Sequence, residues 1–93
     1  MLYKMDLFQV LLNINDFQDD ETIYVVEPWT LESETKVLKE PDIGLIQIKS
    51  DHLIFEYFLE VFLAKEILKN LEHRNPCMRD QCQSVIEYAI HDA

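Results

Sequence analysis

The 93-residue sequence has almost no glycine: Gly44 is the only one. Loops that cradle phosphate and fingerprints that bind dinucleotides need several glycines at fixed spacing, because the backbone must turn sharply and approach the phosphate closely. The three serines also lie outside any G-x-S-x-G elbow of the kind that presents a catalytic serine. The sequence therefore excludes the common signatures of nucleotide-binding proteins and of serine hydrolases.

Basic residues are also scarce. Eight Lys and Arg stand against 18 Asp and Glu, which gives a net charge of −10 at pH 7. Nucleic acids and anionic membrane surfaces are bound by clustered Lys and Arg, so we expect this chain to bind neither. No stretch approaches the roughly 20 apolar residues of a membrane span, and no signal-peptide cleavage site follows the apolar start. These features predict a cytoplasmic protein.

Cysteine is limited to Cys77 and Cys82. In a cytoplasmic protein both are expected to be reduced thiols. Together with His73 and His91 they invite a zinc interpretation, but structural zinc sites favour closely spaced pairs on turns, whereas these residues are spread mostly along one helix. We therefore predict no metal and no cofactor, and we interpret Cys82 as a small apolar core residue.

The composition that remains is typical of a globular protein, with 48% hydrophobic and 28% charged residues. We predict a single domain over residues 1–93. Hydrophobic periodicity and the positions of proline divide this domain into elements. The predicted elements are a helix at 3–14, strands at 22–27 and 35–40, an alternating segment at 45–49 after Gly44, a strand at 53–61, and helices at 63–73 and 77–91.

Residues 52–74 are the hardest to interpret, because they are long enough for one helix of about six turns. On a helical wheel, however, the apolar residues of the two halves fall on opposite sides. A period of two fits the first half better, and it predicts a strand followed by a separate helix. In that strand one face carries Leu53, Phe55, Tyr57, Leu59 and Val61, and the other carries Glu56 and Glu60.

Together these elements predict an α+β fold. It has an N-terminal helix, a small sheet of three or four mainly antiparallel strands, and two C-terminal helices packed on one face of the sheet. The second face of the sheet would carry Ile54 and Phe58 among acidic residues, a mixture that fits burial against a second copy of the chain. We therefore predict a homodimer with Ile54 and Phe58 in its interface.

Three stretches resemble a family of short uncharacterised bacterial domains. They are Trp29-Thr30 followed by Val37-Leu38, the run EVFLAKEILKNL at 60–71, and the ending IEYAIHDA at 86–93. Proteins of that family have a Trp-Thr turn between two strands and a C-terminal helix that closes on Asp-Ala. The resemblance implies an α+β fold and, because the family has no established activity, it implies nothing about chemistry.

The strongest functional signal is the acidic segment, residues 16–34, which holds seven carboxylates and no Lys or Arg. Carboxylates accelerate the encounter with a basic partner, and Tyr and Trp are residue types that anchor interfaces. We predict a non-enzymatic interaction module that binds a cationic protein, in the style of immunity proteins and inhibitors. The predicted partner-binding residues are Tyr24, Glu27, Trp29, Glu32 and Glu34. The alternative interpretation is that both aromatic residues lie in the core and the acids are merely hydrated.

An enzyme or a small-ligand-binding protein with an unrecognised carboxylate or histidine site remains the alternative function. Glu56 and Glu60 are two steps apart on one predicted strand face, with carboxylates about 7 Å apart, a distance suited to paired acid–base chemistry. Glu87 and His91, four residues apart on the last helix, form a second candidate pair. This alternative predicts a pocket that holds a carboxylate or histidine with a shifted pKa.

Overall fold

The computed structural model describes residues 5–39, 47–50, 52–71 and 78–92. This part of the chain forms an α+β fold, as the sequence predicts. Its strands are β1 (Met5–Asp6), β2 (Glu21–Val26), β3 (Glu34–Lys39), β4 (Gln47–Ser50) and β5 (Leu53–Glu60), and its helices are α1 (Leu7–Leu12), α2 (Val61–Leu71) and α3 (Met78–Asp92). A short 3-10 helix at Ile14–Asp16 follows α1.

The strands form one antiparallel sheet in the order β1-β3-β2-β5-β4. Four of these strands are the ones that the alternating segments predict. The predictions at 3–4, at 40–46, at 72–73 and at 77 lie outside the described residues. Within the described ranges, the observed strand and C-terminal helix bounds differ from the predicted ones by no more than two residues.

The N-terminal element is shorter than predicted. The sequence predicts a helix over 3–14, but Met5 and Asp6 pair with β3 as a two-residue strand, and the helix begins at Leu7. Asp6 sets this boundary because its carboxylate accepts a hydrogen bond from the Gln9 backbone N–H at 2.8 Å, while the Gln9 side chain accepts one from the Asp6 N–H at 3.2 Å. This reciprocal capping satisfies N–H groups that the first helical turn leaves free. The predicted helical structure at residues 5 and 6 is therefore wrong.

Strand β5 contains a β-bulge that the sequence pattern does not show. Tyr24 lies opposite Tyr57, whereas the preceding residue, Ile23, lies opposite Leu59, so Phe58 is an extra residue in β5. The alternation of faces shifts at this point, and Phe58 and Leu59 are both buried. The strand is confirmed, but the single apolar face predicted for residues 53–61 is wrong.

The core lies between the helices and one face of the sheet. Ile23 and Val25, two residues apart on β2, belong to it, as the period of two in a strand requires. The helices contribute Leu7, Val10, Leu11, Val61, Ala64, Leu68, Cys82, Val85, Ile86 and Ala89. Among the helices that the structure describes, none is long and apolar enough to cross a membrane.

Candidate partner-binding site around Trp29

The loop from Pro28 to Ser33 joins β2 to β3 and positions Trp29. The Ser33 side chain organises this loop: its hydroxyl accepts a hydrogen bond from the Thr30 N–H at 2.9 Å and donates one to the Pro28 carbonyl. The Ser33 carbonyl in turn accepts the Leu7 N–H at 3.0 Å, which ties the loop to the start of α1. Short side-chain-to-backbone bonds of this kind hold a loop in one conformation without regular secondary structure.

Trp29 lies half-buried where this loop meets the sheet. Its ring packs edge-to-face on Phe58, with ring centroids 5.2 Å apart and an interplanar angle of 79°. Beside it is a cavity of about 320 Å³ lined by Glu27, Pro28, Trp29 and Ile90. Ile90 reaches this cavity from α3 and is 50% exposed. The cavity therefore has apolar walls and one carboxylate, a combination suited to a ligand that has both an apolar part and a charge.

The indole N–H of Trp29 is buried and has no hydrogen-bond partner in the part of the chain that the structure describes. A buried N–H without a partner costs free energy, so such groups are rare in folded proteins. The same ring that supplies an apolar wall of the cavity thus also carries an unsatisfied donor.

A carboxyl pair lies at this site. Glu27 lines the cavity, and Glu56 on β5 lies opposite Val25, two residues before Glu27. The Glu27 carboxyl raises the pKa of Glu56 through hydrogen bonding, and partial desolvation and charge repulsion from Glu27 raise it further. Two carboxyl groups can share a hydrogen bond only while one of them holds a proton, and when both are ionised they repel each other. A cation bound between them would remove this repulsion.

Several other carboxylates of the acidic segment already have basic partners within the chain. Among the described residues, three ion pairs join that segment to residues elsewhere: Asp19 with Lys65 at 2.7 Å, Asp20 with Lys39 at 3.2 Å, and Glu32 with Arg79 at 2.9 Å. The hydrogen bond from Arg79 also lowers the pKa of Glu32, and the backbone N–H of Glu32 lowers it further. Within the described residues, Glu27 and Glu56 have no ion-pair partner, whereas three other acids of this segment do.

Tyr24 is the predicted partner-binding residue that the structure places elsewhere. Its side chain is fully buried, and its ring packs edge-to-face on Tyr57 at a centroid distance of 6.3 Å. Tyr24 lies in the middle of β2, where its cross-strand neighbours are Lys36 on β3 and Tyr57 on β5. The prediction that Tyr24 anchors a partner is wrong for this fold.

The other predicted residues separate into two groups. Glu27 and Trp29 lie together at the cavity, whereas Glu32 is paired with Arg79 and Glu34 lies on β3 opposite Asp6. Of the predicted interface residues, Ile54 is 46% exposed but Phe58 is only 3% exposed and belongs to the core. The prediction that Phe58 lies in a dimer interface is therefore wrong, since the bulge turns its ring toward Trp29.

The predicted acid–base pair of Glu56 and Glu60 is not assembled. Glu56 lies opposite Val25 and Glu60 lies opposite Thr22, which are on different faces of β2. The Glu60 carboxylate instead accepts a hydrogen bond from the Tyr57 hydroxyl at 3.1 Å. The second candidate pair, on α3, is solvent-exposed at both residues. The shifted carboxyl of Glu56 has Glu27 as its partner, a contact between residues 29 positions apart that no local spacing indicates.

Comparisons with protein-family models, with curated proteins and with solved structures gave no match. The resemblance to the short bacterial domains therefore remains a prediction. Among the described residues, no group of three or more His, Cys, Asp and Glu side chains is arranged to hold a metal ion. The geometry around Trp29 is therefore the basis for the proposed function.

Proposed function

We propose that this protein is a non-enzymatic interaction module that binds a cationic protein, and that it binds through Glu27, Glu56 and the Trp29 cavity. The proposal narrows the predicted binding surface from the whole acidic segment to Glu27 and Trp29 of that segment, together with Glu56 on β5. The apolar walls of the cavity would contact the four methylenes that a lysine side chain of the partner carries beneath its ammonium group.

The observation that carries this proposal is the proximity of Glu27 and Glu56: Glu56 lies opposite Val25, Glu27 follows two residues later, and Glu27 raises the pKa of Glu56. Most acidic side chains of a folded protein are separated from one another by solvent or neutralised by Lys and Arg. Here two of them are close enough to share a proton, beside an apolar cavity. An ammonium group from a partner would replace that proton and interact with both carboxylates.

The walls of the cavity support the same kind of ligand. Trp29 and Pro28 supply flat apolar surface for the stem of the side chain, and the exposed Ile90 extends it. A cation near a tryptophan ring also gains from the negative face of the ring.

Self-association and a cytoplasmic location belong to the same proposal. Of the two residues predicted for the dimer interface, Ile54 is exposed on β5 next to the edge strand β4, whereas Phe58 is buried. We therefore propose Ile54 for the interface. A high negative charge is compatible with a basic partner because opposite potentials steer the encounter, and this steering weakens with salt.

The test is a fluorescence titration, since Trp29 is the only tryptophan in the chain and its emission reports on the cavity. We expect a tetralysine peptide to change the emission at low salt and to lose most of its affinity near 1 M salt, where the screening length falls to about 3 Å. An acetylated tetralysine, which lacks the charges, should have no effect. Glu27→Gln and Glu56→Gln should each weaken binding severalfold.

Two variants separate this site from general acidity. Glu66→Gln removes one negative charge from an exposed position on α2, away from the cavity, and should leave affinity almost unchanged. Glu32→Gln removes a carboxylate that Arg79 already neutralises, so its effect should also be small. Equal losses for Glu27→Gln and Glu66→Gln would refute the proposed site and leave only a nonspecific charge effect.

A further inference from the structure

A second cavity, of about 360 Å³, lies on the helical side of the molecule. It is bounded by the end of α1 with the 3-10 helix, by the middle of α2, and by the start of α3. Its walls include buried apolar side chains from three elements, namely Leu11, Ile14 and Leu68. We call it the lysine cavity, because Lys65 and Lys69 also line it. None of its described lining residues belongs to the Trp29 site, so an inference from it does not rest on the proposed function.

The charge of the lysine cavity is opposite to that of the whole chain. Two of the eight Lys and Arg line it, and none of its described lining residues is acidic, although the protein carries a net charge of −10. Because the Asp19 carboxylate pairs with Lys65, one positive charge, that of Lys69, remains to attract an anion to the cavity.

The two lysines differ in their partners. The Lys65 ammonium is fixed by the Phe17 carbonyl at 2.9 Å and by the Asp19 carboxylate at 2.7 Å. Lys69 lies one helical turn farther along α2, is exposed, and has no ion-pair partner in the described part of the chain. Lys65 therefore supplies apolar methylenes to the wall, whereas Lys69 keeps an ammonium that is available to an anion.

A buried polar side chain completes the wall. Gln81, on the first turn of α3, is only 3% exposed, although glutamine is mostly found at protein surfaces. Its amide adds a polar group to a wall that combines apolar side chains with Asn15 and two lysines. In ligand cavities apolar side chains supply surface for the body of a ligand, and placed polar groups fix its orientation.

We propose that the lysine cavity binds a small monocarboxylate with an apolar body, such as a short fatty acid or an aromatic acid. The carboxylate pairs with the Lys69 ammonium at the mouth, and the apolar body lies against Leu11, Ile14 and Leu68. One available ammonium suits a single negative charge. The volume is at the lower end of the roughly 300–1,000 Å³ of ligand pockets, which favours a small ligand.

The experiment is an NMR titration of the full chain with octanoate, kept below the concentration at which it forms micelles. We expect chemical-shift changes at the Gln81 side-chain amide and the Met78 methyl group, both of which line the cavity. Acetate has the charge without the apolar body, and octylammonium has a similar body with the opposite charge. Neither should shift these signals at concentrations at which octanoate does.

Variants test whether the Lys69 ammonium binds the carboxylate of octanoate. Lys69→Gln should weaken octanoate binding about threefold, the effect of losing one solvent-accessible ion pair, and Lys69→Glu should weaken it further. Lys49→Gln makes the same change in net charge at an exposed position on β4 and should have no effect. The proposal is overturned if octanoate causes no shift, or if its shifts are confined to other residues. It is also overturned if octylammonium shifts the Gln81 signal, or if both Lys69 variants bind octanoate as tightly as the parent.

Discussion

Replacing Phe58 by alanine should cost a large part of the stability of this protein. Phe58 is 3% exposed and belongs to the core cluster, and its ring packs edge-to-face on Trp29. Truncation of a buried phenylalanine to alanine removes its transfer free energy and leaves a cavity, which together cost about 3–5 kcal/mol. We expect the cost of Phe58→Ala to lie in the upper part of that range. The substitution also removes the contact with Trp29, and an aromatic pair contributes about 0.5–1.5 kcal/mol beyond burial.

This loss is large compared with the total. A chain of 93 residues has a free energy of unfolding of roughly 5–14 kcal/mol, at about 0.05–0.15 kcal/mol per residue. Phe58→Ala therefore leaves a protein close to the limit of folding. Ile54→Ala, at a residue that is 46% exposed on the same strand, should cost about 0.5 kcal/mol and serves as the control.

Urea denaturation followed by Trp29 emission and by far-UV circular dichroism measures both variants. If Phe58→Ala is too unstable to fold, Phe58→Leu keeps most of the apolar volume and should give a smaller but measurable loss. Measurements at two protein concentrations distinguish a core from an interface, because a tenfold dilution lowers the apparent stability of a dimer by about 1.4 kcal/mol.

The core position of Phe58 is refuted if Phe58→Ala lowers the free energy of unfolding no more than Ile54→Ala does. It is also refuted if the cost of Phe58→Ala changes with protein concentration while that of Ile54→Ala does not. That second result would return Phe58 to an interface between two chains.

Two further predictions concern titrating groups. Because the folded-state pKa of Glu56 lies above its ordinary value of 4.5, this carboxyl favours folding below that value, and its contribution is lost as the pH rises through the folded pKa. Glu56→Gln should therefore have a higher free energy of unfolding than the parent near pH 7, and this difference should become smaller toward pH 4. Urea denaturation at several pH values measures it, and a difference that grows toward acid would contradict the prediction. Burial raises the pKa of the Cys82 thiol to about 11, so a Cys77→Ser variant should react with a disulfide reagent at pH 8 only after denaturant is added. Rapid reaction of that folded variant would show that Cys82 is accessible.

The parts of the fold that depend on local pattern were predictable. The strand at β2 follows from a β-branched and aromatic run that ends at Pro28, and the separation of β5 from α2 follows from a change of period within residues 52–74. The predicted core position of Cys82 on α3 is also confirmed, since its side chain is fully buried. Each of these predictions uses neighbours within one or two turns of the chain.

The errors arise where one strand meets another. Met5 and Asp6 fall within the segment 3–14 that is predicted to be helical, but pairing with β3 makes them a strand. The bulge at Phe58 depends on the register between β2 and β5, and a shift of one residue moves every later side chain to the opposite face. Sequence periodicity contains no information about that register.

The candidate site was predictable only in part, for the same reason. Glu27 and Trp29 are close in sequence, and their residue types indicate an interface. Ile90 comes from α3 and lines the Trp29 cavity, and Glu56 comes from β5 and lies near Glu27; only the packing of these elements brings them there. The lysine cavity likewise combines α1, α2 and α3, so no single segment indicates it.

The sequence by itself determined the α+β class, the strong acidity and the scarcity of glycine, because these depend on composition and on local periods of 2 and 3.6 residues. Only the tertiary structure decided which acids are neutralised and which aromatic residues are buried. An ion pair such as Asp19 with Lys65 and a buried ring such as Tyr24 depend on distances between segments far apart in the chain. Those distances are set when the sheet register and the helix packing form, and they turn a uniformly acidic segment into one local site at Glu27, Glu56 and Trp29.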